Sequence, residues 1–325
     1  MNRRLAIRAG QWAYRLLGIS CRQQYVNKPV QSAVSAEDSN RKLAEVITAG
    51  KACMLSRLGT SEACCVLNHL EIVALETVSN FRRINETLRG ARPAWDPAVA
   101  ALLSNNAGFF PPTDECLAKF ARIFIDDLRE TDWIGVWGFV PGEDLLINKY
   151  CPAATRFRPT GVESYYYRQP WSARLEGLRV LVIHPFAESI RTQFARREKL
   201  FLDPRVLPDF ELLTIPAVQT LAGNKTDFAS WFDALDWMKS EVDKLDFDVA
   251  LIGAGAYGLP LSAHVKRRGK IAIHMGGALQ ILFGIRGSRW DAMPHISRYY
   301  NEHWVRPGES EKIATADRVE EGCYW

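Results

Sequence analysis

The chain has no run approaching the roughly 18 consecutive apolar residues that a membrane span requires. Its first residues lack the continuous apolar core and small-residue cleavage site of a secretory signal. It has no C-x-x-C pair. The seven cysteines, Cys21, Cys53, Cys64, Cys65, Cys116, Cys151 and Cys323, are odd in number, which points to a reduced, cytosolic compartment rather than a disulfide framework. An excess of charge of one sign is lacking as well: the net charge is +4, far from the basic domains that grip nucleic acid, so no nucleic acid is expected as a partner. G-x-S-x-G, H-E-x-x-H and G-K-[ST] are all missing, which argues against a hydrolase elbow, a zincin or a P-loop. What is present, 47% hydrophobic and 24% charged over 325 residues, suits a soluble globular protein of one large or two modest domains.

The most informative stretch runs from Asp248 to Trp290. A short apolar run, Val249 to Ile252, enters the glycine turn Gly253-Ala254-Gly255-Ala256-Tyr257-Gly258 and then a helix-like segment through Leu261 and Val265. A second run, Ile271 to Ile273, ends in His274-Met275 and empties into Gly276-Gly277. Strand, glycine turn and helix, repeated, read as a βαβ unit with adjacent parallel strands. Ligands of such units sit outside the carboxyl ends of the strands, where helix N-termini present free N–H groups. Gly253-x-Gly255-x-x-Gly258 matches a dinucleotide fingerprint, but the acidic residue expected about 20 positions on is absent, since that strand ends in His274-Met275. An NAD-dependent oxidoreductase is therefore the least favoured reading.

The pattern recurs earlier. Ala52 to Leu55 leads into Ser56-Arg57-Leu58-Gly59-Thr60-Ser61-Glu62 and a helix from Ala63 to Leu70, with Arg57 at the strand tip and Glu62 in the first helical turn. Leu178 to His184 is the clearest central strand, and further strands are expected at Trp133 to Trp137 and Phe210 to Ile215. Helices are expected at Ala36 to Gly50, from Thr113 through Leu128, after His184-Pro185-Phe186 through Ile190, Phe194, Leu200 and Phe201, and at Asp227 to Leu245. Cys151 to Pro170 reads as irregular, a linker or domain boundary. Four segments result: 1–35, an amphipathic helix and linker; 36–170, an α/β part carrying R-x-G-x-x-E; 171–292, a Rossmann-like part; and 293–325, a tail over the site or a partner. In residues 1–18, Leu5, Ala9, Trp12 and Leu16 share one stripe and Arg4, Arg8 and Arg15 another. That suits either peripheral contact with the inner membrane face or docking on the protein's own core.

Strand tips thus bring Arg57, Glu62, His184, Gly253, Gly255, Tyr257, His274 and Gly276 to one edge. Glycine turns and helix N-termini favour a phosphate or pyrophosphate, which Arg57, Lys270 or Arg289 would neutralise. Each residue also has a purely structural reading: His184 and His274 as core histidines, Arg57 and Glu62 as an ion pair, Gly276-Gly277 as close packing. Lys266, Arg267 and Arg268 read as a solvated helix end. Asp246-x-Asp248 lies at the amino end of its strand, the wrong edge for a metal site.

These elements resemble the GT-D type glycosyltransferases, on Arg57-Leu58-Gly59-Thr60-Ser61-Glu62 after a strand, the late turn Gly253 to Gly258, and the strand ending His274-Met275-Gly276-Gly277. The resemblance implies a Rossmann-like α/β fold, a mostly parallel sheet with helices on both faces. It also implies a cytoplasmic bacterial enzyme of polysaccharide biosynthesis that transfers sugar from a nucleotide-diphosphate donor to a surface glycan acceptor. Carried over, Gly253, Gly255, Tyr257 and Gly258 with His274, Gly276 and Gly277 bracket the donor. Arg57 and Gly59 face its diphosphate, and Glu62 binds Mg²⁺ or Mn²⁺ or acts as base, with His184 the alternative base. The family turn reads R-F-G-D-G-E, whereas Thr60 stands at the aspartate position here. Either the metal is held differently, or catalysis runs without one, or the chain is a non-catalytic nucleotide- or phosphate-binding protein of a polysaccharide locus.

Overall fold

The computed structural model describes residues 33–77, 94–318 and 322–325. The amphipathic stripe of residues 1–18 lies outside them. Short strands span Cys53–Arg57 (β1), Trp133–Gly135 (β2), Thr155–Phe157 (β3), Arg179–His184 (β4), Glu211–Pro216 (β5), Val249–Ile252 (β6) and Ile271–His274 (β7). All pair in parallel in one sheet of order β3-β2-β1-β7-β6-β4-β5, so the fold is α/β and Rossmann-like. Segments 36–170 and 171–292 contribute to that same sheet, joined where β1 pairs with β7.

Both faces of the central strands are buried, which is why they read as unbroken apolar runs rather than alternating ones. In β4, Leu181 and Ile183 face one layer while Val180 and Val182 face the other. The first layer is built on helices Thr60–Glu76 (α2), Pro97–Ala107 (α3), Asp114–Leu128 (α4), Glu143–Tyr150 (α5), Trp231–Asp243 (α7) and Gly258–Arg267 (α8). The second holds Ala36–Ala49 (α1), Ala187–Phe194 (α6), Ala278–Leu282 (α9) and the single turns Ser288–Asp291 (α10) and Pro294–Ser297 (α11).

Most expected elements appear within a few residues of their places, and the shifts have local causes. The Trp133 strand stops at Gly135 because the buried Glu143 carboxylate accepts from the N–H groups of Trp137 (3.0 Å) and Gly138 (2.7 Å), drawing the chain off the sheet. Helix α7 starts at Trp231 rather than Asp227, where the Ser230 hydroxyl accepts from Asp233 N. The helix expected through Phe201 ends at Phe194. The irregular stretch before Pro170 hides β3, at three residues too short to show a period.

Two expectations about charge are settled at the amino edge of the sheet. Asp246 and Asp248 pair with Arg179 and Lys270. Lys270 therefore sits at the opposite end of β7 from the strand tips and neutralises no ligand there. Lys266, Arg267 and Arg268 pair with Asp132, Asp127 and Asp243, which ties the end of α8 to its neighbours.

The segment after α11 crosses the carboxyl edge. Its Glu311 carboxylate accepts from Glu188 N (2.8 Å), Ser189 N (3.2 Å) and the Ser189 hydroxyl, satisfying donors that the first turn of α6 leaves open. Glu311→Ala is expected to lower the unfolding free energy by about 1–2 kcal/mol, in the range of lost caps and charged hydrogen bonds. Urea titration reads this. An unchanged midpoint would mean that water caps the helix equally well.

Candidate functional site

All seven carboxyl ends lie on one edge, and the register decides which side chains meet there. Leu55 pairs with Ile273, so Ser56 and His274 stand side by side on the α8 face, with Ser56 Oγ 3.1 Å from His274 Nδ1. The next residue of β1 points to the other face. There Arg57 lies over the Gly276 turn, where a Cβ on Gly276 would come 1.8 Å from Arg57 Nη2. Glu62, in the first turn of α2, folds back over Gly59, where a Cβ would come 2.0 Å from its Oε2. Two turns more than 200 residues apart in the chain thus use missing side chains to seat a guanidinium and a carboxylate.

Other side chains complete this cluster. The Trp137 ring centroid lies 5.4 Å from the Arg57 guanidinium, beside the exposed Phe139. Glu163 comes from the loop after β3 and accepts from the Tyr165 hydroxyl at 2.8 Å. Arg289 of α10 stacks over Tyr324 at 4.7 Å and points Nη1 at its hydroxyl, 3.4 Å away. Tyr324 covers Gly277, whose Cβ would lie 2.9 Å from the tyrosine ring.

Burial sets the electrostatics. It holds the Arg57 guanidinium below its ordinary value, with Arg289 pushing the same way and Tyr324, Glu62 and Glu163 opposing. Its Nε is buried with no hydrogen-bond partner. Burial also raises the carboxyls of Glu62 and Glu163. In Glu62 its own backbone N–H and Arg57 oppose that rise; in Glu163 the hydroxyls of Tyr165 and Tyr166 do, then Arg57. The result is a guanidinium and two carboxyls at one rim whose charged forms are all disfavoured by burial.

The Gly253 turn does something else. Ile183 pairs with Ile252, so His184 falls against Gly253, where a Cβ would come 2.6 Å from the imidazole. The His184 Nδ1 accepts from Phe186 N at 3.0 Å, and burial pushes the group down to about 3. Its lone pair is thus already used, which removes the lever that a general base needs. Gly258 makes room in the same way for His274, since a Cβ there would lie 2.2 Å from Nε2. His274 is held far below its ordinary value, by burial first and then by Arg57. The spaces beside Gly253 and Gly258 are therefore filled by the protein's own histidines.

Tyr257 leaves the rim altogether. It is 2% exposed and stacks on Trp231 at 4.9 Å within the α7 core, its hydroxyl turned toward Thr220 without a well-formed hydrogen bond. Gly255, with φ of +53°, faces Ala107 rather than Arg57. The expected set splits accordingly: Arg57, Gly59, Glu62, Gly276 and Gly277 converge, His184, Gly253, His274 and Gly258 support them, Tyr257 belongs to the interior, and Gly255 is exposed beside Ala107. Sequence reasoning missed Glu163, Trp137 and Tyr324. Each sits in a loop or aperiodic stretch, where no spacing signals a role.

Among the described residues no helix is long and apolar enough to cross a membrane, and no three His, Cys, Asp or Glu side chains are grouped to hold a metal ion. Comparison of the chain with models of known families, with characterised proteins and with solved structures finds no match.

Proposed function

We propose that this protein transfers a sugar from a nucleotide-diphosphate donor to a glycan acceptor, with the donor diphosphate at the Arg57 rim. The observation that carries the reading is the junction of the Arg57–Glu62 turn with the Gly276–Gly277 turn: a half-buried arginine whose Nε is buried and unsatisfied, beside a carboxyl that burial has made more basic. The first is suited to a departing diphosphate and the second to a proton. In the transfer, an acceptor hydroxyl oxygen attacks the anomeric carbon as its proton passes to Glu62. The bond from that carbon to the diphosphate breaks, and its electron pair leaves on the phosphate oxygen, where Arg57 faces the developing charge. Trp137 and Phe139 form an aromatic lip next to Arg57, a surface on which a base or sugar ring can lie.

Calorimetric titration with UDP- and GDP-sugars tests this. At least one is expected to bind, and Arg57→Gln to weaken that donor about tenfold or more, as loss of a charged hydrogen bond should. Absence of binding to every nucleotide sugar tried would end the proposal. A second reading, ligand binding without turnover, is favoured by Thr60, which leaves the 57–62 turn with one carboxylate. Glu62→Gln separates the two: transfer collapses while donor binding persists if Glu62 takes the proton, whereas a pure binding protein transfers nothing in either form.

A further inference from the structure

We propose that the surface around Leu202 is a docking face for an anionic lipid bilayer, into which this leucine inserts while the basic side chains around it meet the headgroups. The inference does not rest on the sugar-transfer reading.

Leu202 is 107% exposed, as open as in an extended peptide, whereas Leu200 and Phe201 just before it are buried. The chain on either side is fastened. Leu200 O accepts from Trp304 Nε1 at 2.8 Å and from Asn301 Nδ2 at 3.3 Å, and the Asp203 carboxylate accepts from Arg205 N at 3.0 Å to start the turn Pro204–Val206. A leucine on a frayed loop can fold back over apolar surface. One held between fixed neighbours stays in water, where its apolar area is a standing cost that a bilayer would relieve.

A leucine exposed by itself is ordinary on a protein surface, but this one stands at the edge of an aromatic cluster among cations. Phe201 packs against Tyr165 and Tyr299, each at 6.3 Å, and against Trp304 at 5.4 Å. Tyr299 and its neighbour Tyr166, both half-buried, carry the cluster to the surface. Amphipathic rings of this kind favour the headgroup level of a membrane. Exposed Lys199 and Arg205 flank Leu202 along the chain, Arg205 Nη2 reaches the main-chain oxygen of exposed Arg168 at 2.8 Å, and exposed Arg298 lies over the Tyr299 ring at 4.9 Å. The acids here have cations beside them: Asp203 is 2.8 Å from Arg205, Glu198 4.0 Å from Arg197, and Glu302 3.4 Å from His303. Positive charge is in excess, which complements an anionic lipid surface.

Shape selects the partner. Leu202 projects, and a bilayer accepts a projecting side chain without a matching pocket, whereas a protein partner would have to supply one. Nucleic acid would meet the cations and leave the leucine in water. The face also adjoins the Arg57 rim, because Tyr165, which packs on Phe201, donates its hydroxyl to Glu163.

The test is co-sedimentation of the full chain with phosphatidylcholine vesicles, with and without phosphatidylglycerol. Binding is expected to the anionic vesicles, to fall as salt rises, and to be about tenfold or more weaker on neutral ones. Leu202→Glu should weaken it about tenfold or more, Lys199→Gln about fivefold, and Leu202→Trp should tighten it about threefold. These side chains are exposed, so thermal unfolding should not change, and it is measured to confirm that. Failure to sediment with anionic vesicles, or equal binding to both kinds, would overturn the inference. So would a folded Leu202→Glu protein that binds as tightly as wild type, which would move the attachment elsewhere, first to the stripe of residues 1–18. The nucleotide-sugar titration decides the functional reading separately, since neither outcome there bears on the vesicles.

Discussion

Gly258→Ala is expected to destabilise the protein by about 3 kcal/mol, at the upper end of what overpacking a core costs. The position is helical, with φ of −58°, so alanine meets no backbone objection and would ordinarily be favoured over glycine in α8. The cost comes from elsewhere. The new methyl would lie 2.2 Å from His274 Nε2 and 2.7 Å from two ring carbons, and that imidazole is 6% exposed, walled in by the sheet, and bonded through Nδ1 to the fully buried Ser56. It can move only by giving up that bond. A double-mutant cycle isolates the cause: in a His274→Ala background, which is itself weakened by a cavity, Gly258→Ala should cost almost nothing. Chemical denaturation of the four proteins checks this. If alanine costs the same with and without the imidazole, the glycine is there for some reason other than His274.

The second large effect is a pair of opposed pH slopes. Burial pushes the Glu143 carboxyl up to about 7, against the N–H groups of Trp137 and Gly138 that bond it, and pushes His184 down to about 3. A raised carboxyl means that the folded state holds its proton more tightly than the unfolded chain. The stability contributed by Glu143 is therefore complete below about 4.5 and is lost as pH rises through 7. A depressed histidine does the reverse: the contribution of His184 is complete above about 6.5 and is lost as pH falls toward 3. Between about 4.5 and 6.5 the two slopes oppose each other, each worth up to about 1.4 kcal/mol per pH unit. Glu143→Gln should unmask the histidine, its stability relative to wild type rising with pH by about 2–3 kcal/mol across that window. His184→Asn, which keeps an acceptor for Phe186 N, should show a relative fall of similar size. Other buried titrating groups cancel in each comparison with wild type. Urea titrations over a pH series give the answer, and relative stabilities that stay flat with pH would refute both assignments.

Much of the architecture was legible in the amino-acid order because its physics is local. A strand buried on both faces must be apolar throughout, as Val249–Ile252 and Arg179–His184 nearly are, and a helix start or stop needs its cap, as Ser35, Thr113 and Gly50 provide. From such signals a parallel sheet with glycine turns at its carboxyl edge could be written down, and so could the nearness of Arg57, Glu62 and Gly276 to that edge. Short elements such as Thr155–Phe157 escaped because three residues carry no period.

The composition of the rim was decided only by the fold. Alternation along β1 sends Ser56 to one face and Arg57 to the other, a choice set by the pairing of Leu55 with Ile273, far away in the chain. Similar glycine turns acquired different contents because different neighbours reached them: Arg57 at Gly276, His184 at Gly253, His274 at Gly258. Tyr257, one residue before a glycine of the same motif, was drawn inward by the flat face of Trp231. Glu163 and Tyr324 were brought in by loops whose paths depend on everything they cross. Short-range preferences dictate what each segment becomes, whereas long-range packing dictates which side chains share a space, and a binding rim is made of the second kind of fact.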